Sequence, residues 1–109
     1  MSEYNPDKWQ IVKFTSEKGG DVYKVLGGWS GGYLDPDAWR LSSGLEKITE
    51  EGDYYLMHNY SGSIYKCHKE MDGFTGISGA IYSGWQEATK DDKDVEITTV
   101  TVEEFNNKE

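Results

Sequence analysis

Residues 95–102 have the sequence VEITTVTV, which is β-branched at every position except Glu96. β-Branched side chains favour the extended backbone of a strand, and alternation along it places Glu96 and Ile97 on opposite faces. Thr101 is followed three residues later by Glu104, a spacing that is typical of a helix start. We therefore predict a strand over residues 95–102 and the start of a short helix at its end.

The rest of the chain alternates short β-forming runs with glycine-rich turns, as antiparallel sheets do. Further strands are predicted at residues 9–15, 22–26, 54–60 and 63–69, with a strand broken at Gly44 over residues 39–42 and 45–49. We expect a loop at residues 71–79. Residues 80–90 fit a strand or a short helix, and Ile81, Tyr82 and Gly84 favour the strand. Asp35 before Pro36 predicts one helical turn. The predicted class is mainly β with little helix. It is a single small antiparallel sheet domain, a roll, open barrel or sandwich of roughly six to eight short strands.

The composition limits the size and location of the protein. A chain of 109 residues suits one domain over residues 1–109, with frayed ends at 1–7 and 104–109. Four Trp, eight Tyr and three Phe supply large side chains for a packed core. No signal-peptide pattern or long apolar run is present, and Cys67 is the only cysteine. The cytoplasm is therefore the expected location.

The net charge of −9 is the strongest indication about partners. It opposes direct binding to nucleic acid and to anionic membranes, because both depend on Lys and Arg. It favours a basic protein partner attracted by the field of the domain. The predicted acidic surface lies toward the C-terminal end and consists of Glu87, Asp91, Asp92, Asp94 and Glu96.

No group of residues has the spacing of a catalytic or metal site. A hairpin that turns at Ser61-Gly62 places His58 and Cys67 on one face without pairing them, and His68 on the other face. Two ligands fall short of the four that a structural zinc site needs. Nucleophile-elbow, zinc-protease and phosphate-loop motifs are absent from the sequence. We therefore predict no metal, no cofactor and no enzyme activity, with Cys67 as a buried thiol.

Aromatic residues next to glycine-rich turns are the candidates for recognition. Loops run over the surface of a domain, and Trp, Tyr and Arg dominate protein interfaces. The only arginine of the chain also directly follows a tryptophan. The predicted recognition surface consists of Trp29, Tyr33, Trp39, Arg40 and Trp85. The alternative is that most of the aromatic side chains simply fill the core.

Three segments give the sequence a resemblance to known proteins. They are GGWSGGY at residues 27–33, WRLSSG at 39–44 and GSIYKCHK at 62–69. Over roughly residues 22–69 the chain resembles small uncharacterised accessory proteins of tailed bacteriophages. The resemblance implies a context, since small acidic phage proteins often inhibit host machinery, including defence systems. In that context the location is the host cell cytoplasm.

Three functions remain open from the sequence. The leading hypothesis is a non-enzymatic, phage-encoded inhibitor of a host defence or nucleic-acid-processing protein, acting through an acidic surface with aromatic anchors. The alternative is a small-molecule binder that sequesters a nucleotide-like signal between aromatic rings, with Arg40, Lys66 or Lys69 on phosphate. A second alternative is a structural or virion-associated module.

Overall fold

Strands make up most of the regular structure in the computed structural model, which describes residues 3–29 and 38–107. The strands of this part are β1 (Glu3–Tyr4), β2 (Lys8–Ser16), β3 (Gly20–Trp29), β4 (Ala38–Leu41), β5 (Leu45–Glu51), β6 (Tyr54–Asn59), β7 (Ile64–His68) and β8 (Val95–Val100), and the helices are α1 (Gly76–Thr89) and α2 (Val102–Asn106). The prediction of a mainly β fold with largely antiparallel sheets is confirmed. The predicted helical turn at Asp35-Pro36 lies outside the described residues.

Two four-stranded sheets face each other, as in a sandwich. Sheet A has the order β1-β7-β6-β5 and sheet B the order β4-β3-β2-β8. β1 runs parallel to β7, and the remaining neighbours are antiparallel. The buried core between the sheets consists of Trp9, Ile11 and Val25 from sheet B, Leu45, Met57, Tyr65 and Cys67 from sheet A, and Phe105 from α2.

Helix α1 covers the outer face of sheet B and forms a second, smaller core. Alternation along β2 sends Ile11 between the sheets and Val12 toward the helix. Val12 is buried with Leu26 and Ile97 beneath aromatic side chains that include Tyr82. Sheet B is therefore buried on both faces.

The preference for a strand at residues 80–90 is wrong and the helical alternative is found, because residues 80–89 belong to α1. The helix begins with a capping box in which the Ser78 N–H donates to the Thr75 hydroxyl and the Thr75 N–H donates to the Ser78 hydroxyl. Tyr82 and Trp85 then follow at helical spacing and pack on sheet B. The expected loop at 71–79 is correspondingly shorter, since the helix starts at Gly76.

The predicted broken strand around Gly44 is two strands in different sheets. β4 belongs to sheet B and β5 to sheet A, so the chain crosses between the sheets rather than forming a bulge. Buried Ser42 holds the crossing, because its hydroxyl accepts a hydrogen bond of 2.8 Å from the Val25 N–H. A Cβ at Gly44 would lie 3.0 Å from a ring atom of Tyr60, so a larger residue would crowd the crossing.

The predicted β6–β7 hairpin is present with a register shifted by one residue. His58 pairs with Ile64, whereas a two-residue turn would have paired it with Tyr65. The longer turn is held by Asn59, whose side-chain amide donates to the Ser63 carbonyl at 3.1 Å. The shift moves Cys67 and His58 onto opposite faces of sheet A, which corrects the shared face expected from the sequence.

Helix α2 confirms the start expected at Thr101. The Glu104 N–H donates to the Thr101 hydroxyl at 3.0 Å, and the Thr101 N–H donates back to the Glu104 carboxylate at 2.8 Å. Phe105 then points into the core and meets the Tyr23 ring edge-on at 5.2 Å. This short helix closes one part of the core between the sheets.

Candidate functional site

The aromatic patch, defined as Trp39, Trp85 and Phe14, lies where α1 crosses β4 and β2. Trp39 is 41% exposed, which is high for so large an apolar side chain. Its ring meets Trp85 edge-on, with centroids 5.9 Å apart and planes at 78°. Trp85 in turn contacts Phe14 at 5.7 Å. An exposed indole is therefore held in place by two further rings.

The acidic cleft is an open groove of about 610 Å³ between the end of α1 and β8. Two hydrogen bonds fix its floor. The Asp94 N–H donates to the Asp92 carboxylate at 2.9 Å, and the Glu17 N–H donates to the Asp94 carbonyl at 2.9 Å. The charged residues lining the cleft are Glu17, Asp92, Asp94, Glu96, Lys90 and Lys93. Among the described residues that line the cleft, carboxylates therefore outnumber ammonium groups by two to one.

The cleft brings together three of the five acidic residues predicted from the sequence, Asp92, Asp94 and Glu96. Glu87 instead lies on the exposed side of α1 and forms an ion pair of 2.8 Å with Lys90. Asp91 is exposed in the turn after α1 and does not line the cleft.

Sequence reasoning missed Glu17 as an acidic residue of this surface. Its turn follows β2, and antiparallel pairing brings the end of β2 to the start of β8, with Ser16 opposite Val95. The only signal for its role was the run of turn residues around it. That run does not identify which strand lies next to β2.

The aromatic patch and the acidic cleft flank the same turn of α1. Trp85 faces the patch, and the next residue, Gln86, lines the cleft. The Gln86 amide donates to the Ile97 carbonyl and to the Tyr82 hydroxyl, which fixes this part of the helix against β8. The Thr89 hydroxyl donates to the Trp85 carbonyl at 2.9 Å. One rigid helical turn thus carries both features.

Trp29 and Arg40 lie on the other face of sheet B, so the five predicted recognition residues do not form one surface. Along β4, alternation sends Trp39 toward α1 and Arg40 toward sheet A, where its guanidinium lies 4.6 Å from the centre of the Tyr4 ring. Trp29 is half-buried, and its indole N–H donates to the Asn5 carbonyl at 3.0 Å. Tyr33 lies outside the described residues.

Arg40 also borders a small cavity of about 290 Å³ between the two sheets. The polar residues that line the cavity are Tyr4, Arg40, Ser42, Ser43, Ser61, Ser63 and Tyr65. No sequence pattern predicts this group, because its serines come from two separate turns. Only the solitary arginine drew attention to the region.

The two lysines proposed as phosphate ligands do not join Arg40. Lys66 forms an ion pair of 3.6 Å with Glu51, and Lys69 forms one of 2.6 Å with Glu50. The hydrogen bond that Lys69 donates to the Glu50 carboxylate is the main cause of the raised pKa of Lys69. Neither lysine lines the cavity beside Arg40.

Cys67 is fully buried between the sheets, and burial raises the pKa of its thiol. A protonated, inaccessible thiol is a poor nucleophile. Among residues 3–29 and 38–107, no group of three or more His, Cys, Asp or Glu side chains is placed to hold a metal ion. In the same part of the chain, no helix has the length and apolar content to span a membrane.

No family model, curated protein or solved structure matches this chain. The aromatic patch, the acidic cleft and the cavity beside Arg40 are therefore the features on which a function is inferred.

Proposed function

We propose that the protein is a non-enzymatic binding module that captures a basic segment of a partner protein. The observation that carries this proposal is the position of the aromatic patch and the acidic cleft on one turn of α1, at the consecutive residues Trp85 and Gln86. A partner that covers this turn buries an indole and meets carboxylates at the same time.

The aromatic patch supports the proposal because Trp39 is both exposed and fixed. Tryptophan is enriched among the residues that contribute most to protein interfaces. Contact with Trp85 limits the motion of the Trp39 ring, so little side-chain freedom is lost on binding. Trp39 therefore has the properties of an anchor.

The acidic cleft supports a basic rather than a neutral partner. Lys90, one of the two lysines that line the cleft, forms an ion pair with Glu87, which lies outside the cleft. This pairing offsets the positive charge of Lys90, so the carboxylates of the cleft dominate its charge. The net charge of −9 also attracts a basic protein over longer distances. Complementary charge of this kind accelerates association more than it tightens the complex.

The phage context that the sequence resemblance implies makes the proposed partner a host protein. Host enzymes that process nucleic acid, including defence enzymes, bind phosphates through basic grooves. A domain that offers carboxylates beside an exposed indole can occupy such a groove and block it. The proposed role is thus inhibition of a host enzyme.

The nucleotide alternative has less support at these residues. A base stacks on the face of an aromatic ring, whereas Trp39 and Trp85 meet edge-on at 78° and leave no slot between parallel rings. Lys66 and Lys69 are also engaged with glutamates. No observation specifically favours a structural or virion-associated role.

The test uses the wild-type protein and two single variants as baits in a bacterial lysate. Trp39→Ala removes the anchor, and Tyr60→Ala removes an aromatic side chain that is 73% exposed elsewhere. We expect the wild type and Tyr60→Ala to retain the same host protein, identified by mass spectrometry. Trp39→Ala should weaken its binding by about 2 kcal/mol or more. Equal retention by all three baits would rule out the patch as the anchor.

The role of the cleft is tested on the captured partner by measuring association rates at low and high salt. Glu96→Gln should slow association at low salt, because it removes a charge from the cleft. Glu46→Gln is the matched control, since Glu46 is exposed on β5 of sheet A. An association rate that does not change with salt concentration contradicts electrostatic capture. So does an equal decrease in the association rate for Glu96→Gln and Glu46→Gln.

A further inference from the structure

We infer that the cavity beside Arg40 is a binding site for the phosphate group of a small molecule. The inference goes beyond the proposed function, because the cavity lies on the opposite face of sheet B from the aromatic patch and uses none of its residues. At about 290 Å³ the cavity is small compared with pockets that enclose whole ligands. It fits a phosphate group and part of the molecule that carries it.

Arg40 is the charged group of this site. It is the only arginine of the chain, and among the described residues no carboxylate lies within 4.0 Å of it. Its planar guanidinium lies over the Tyr4 ring at 4.6 Å, which orients the side chain without using its N–H groups. A guanidinium held in this way can donate two parallel hydrogen bonds to a phosphate.

Ser43, Ser61 and Ser63 form a row of hydroxyls along the cavity, called here the serine row. The Ser43 and Ser61 oxygens lie 2.9 Å apart, and the Ser61 and Ser63 oxygens 3.1 Å apart. The two contacts use two of the three hydroxyl protons. The Asn59 side-chain amide donates to the Ser63 hydroxyl oxygen, and the Ser61 backbone N–H donates to the Ser43 hydroxyl oxygen. These bonds occupy oxygen lone pairs and leave the hydroxyl protons available. One hydroxyl proton is therefore left to donate to a ligand.

Tyr65 adds a further donor. Its side chain is almost completely buried, at 1% exposure, and it lines the cavity. Burial raises the pKa of Tyr65 to about 12, so the phenol stays protonated at neutral pH. The guanidinium of Arg40 lowers this pKa and so opposes the effect of burial, and both residues line the cavity. Both can face the same anion.

The lining selects an anion over a cation. Among the residues that the structure describes, no acidic residue lines the cavity, although the whole chain has a net charge of −9. Exposed charges more than about 8–10 Å away are largely screened at physiological salt, so the local donors decide the preference. A tetrahedral phosphate can accept from the guanidinium, the serine row and the Tyr65 hydroxyl together.

The test is an NMR titration of ¹⁵N-labelled protein with inorganic phosphate and, separately, with adenosine 5′-monophosphate at constant ionic strength. We expect saturable shifts at the backbone amides of Ser43, Ser61 and Ser63. Arg40→Gln should weaken binding about tenfold or more, because a charge-assisted bidentate contact is lost. Arg40→Lys keeps the positive charge but loses the two parallel N–H donors, so its affinity should lie between those of the wild type and Arg40→Gln. Lys47→Gln, which removes an exposed charge from β5, should bind like the wild type.

The two probes show whether the site exists and whether it binds free phosphate or the phosphate group of a larger molecule. Saturation by both probes supports the site and assigns it to phosphate itself, whereas saturation by adenosine 5′-monophosphate alone supports it and assigns it to a phosphate monoester. Absence of saturable shifts with either probe overturns the inference. Equal binding by Arg40→Gln and Lys47→Gln also overturns the inference. The same spectra show whether both variants are folded.

Discussion

Burial controls the acid–base chemistry of single residues in the core between the sheets. Cys67 is 0% exposed and Tyr65 lies beside it on β7. Each side chain is neutral when protonated, so loss of solvent raises the pKa of both groups. In the unfolded chain both groups regain their ordinary pKa values.

The first residue-scale prediction concerns alkaline stability. The thiol of Cys67 keeps its proton in the folded protein at pH values where the unfolded chain has lost it. Its contribution to stability is therefore complete below the unfolded pKa and falls as pH rises toward the folded pKa. Above the ordinary thiol pKa we expect a loss of about 1.4 kcal/mol per pH unit from this group.

Urea unfolding of the wild type and Cys67→Ala between neutral pH and pH about 10 measures this effect. The variant should be less stable at neutral pH, because it leaves a small cavity, but its stability should fall less steeply as pH rises. Parallel curves for the two proteins would show that the thiol does not contribute to the alkaline loss.

The individual residues of the candidate site could be predicted only in part from the sequence. The sequence suggested Trp39 and Arg40 as recognition residues, and strand alternation alone implies that neighbours point to opposite faces. What the sequence did not contain was the partner of each side chain. Tyr4 lies beneath Arg40 because β1 joins sheet A next to β7, a long-range pairing with no local signal.

Helix α1 depends on one glycine in the neighbouring strand. A Cβ at Gly28 of β3 would lie 2.4 Å from the Thr75 hydroxyl and 2.9 Å from the Ser78 hydroxyl, which together form the N-terminal capping box of α1. The start of the helix therefore sits directly on a strand that has no side chain at this position.

The element-scale prediction contrasts two glycine substitutions. Gly28→Ala should destabilise the protein by about 1–3 kcal/mol, because it forces the capping box away from β3. Gly84→Ala lies in the interior of α1, where the added methyl has no contact within 4 Å among the described residues, and should stabilise the protein by up to about 1 kcal/mol. Urea unfolding gives both values. Equal effects of the two substitutions would show that α1 does not rest on Gly28.

The strand predicted at residues 80–90 failed for an identifiable reason. Gly84 lowers helix propensity, and Ile81 and Tyr82 favour strands. The packing of Tyr82 and Trp85 on sheet B outweighs these local preferences. The capping box at Thr75 also uses a serine where a glutamate is the usual signal. By contrast, β8 and the start of α2 were predictable because their local signals agree with their tertiary environment.

At the scale of the whole molecule, the core joins residues from both ends of the sequence. Phe105 is 2% exposed and packs against Tyr23, and β8 pairs with β2. The segment at 104–109 was expected to be frayed, yet it contributes one of the largest buried side chains. Stability of both sheets thus depends on α2.

The prediction at this scale is that Phe105→Ala lowers the free energy of unfolding by about 3–5 kcal/mol. Asn106→Ala, an exposed position in the same helix, should stay within about 0.5 kcal/mol of the wild type. Unfolding followed by circular dichroism measures both. A small effect of Phe105→Ala would mean that α2 is dispensable for the core.

The pairing of β2 with β8 has a consequence for synthesis of the protein on the ribosome. Residues 8–16 emerge early, but their neighbours at 95–100 are translated last among the strands. At about 5–20 residues per second, β2 waits roughly 4–20 s for that partner. During this interval the edge of β2 that pairs with β8 is unpaired and available to other chains. We therefore expect ribosome-associated chaperones to bind the nascent chain before β8 is translated.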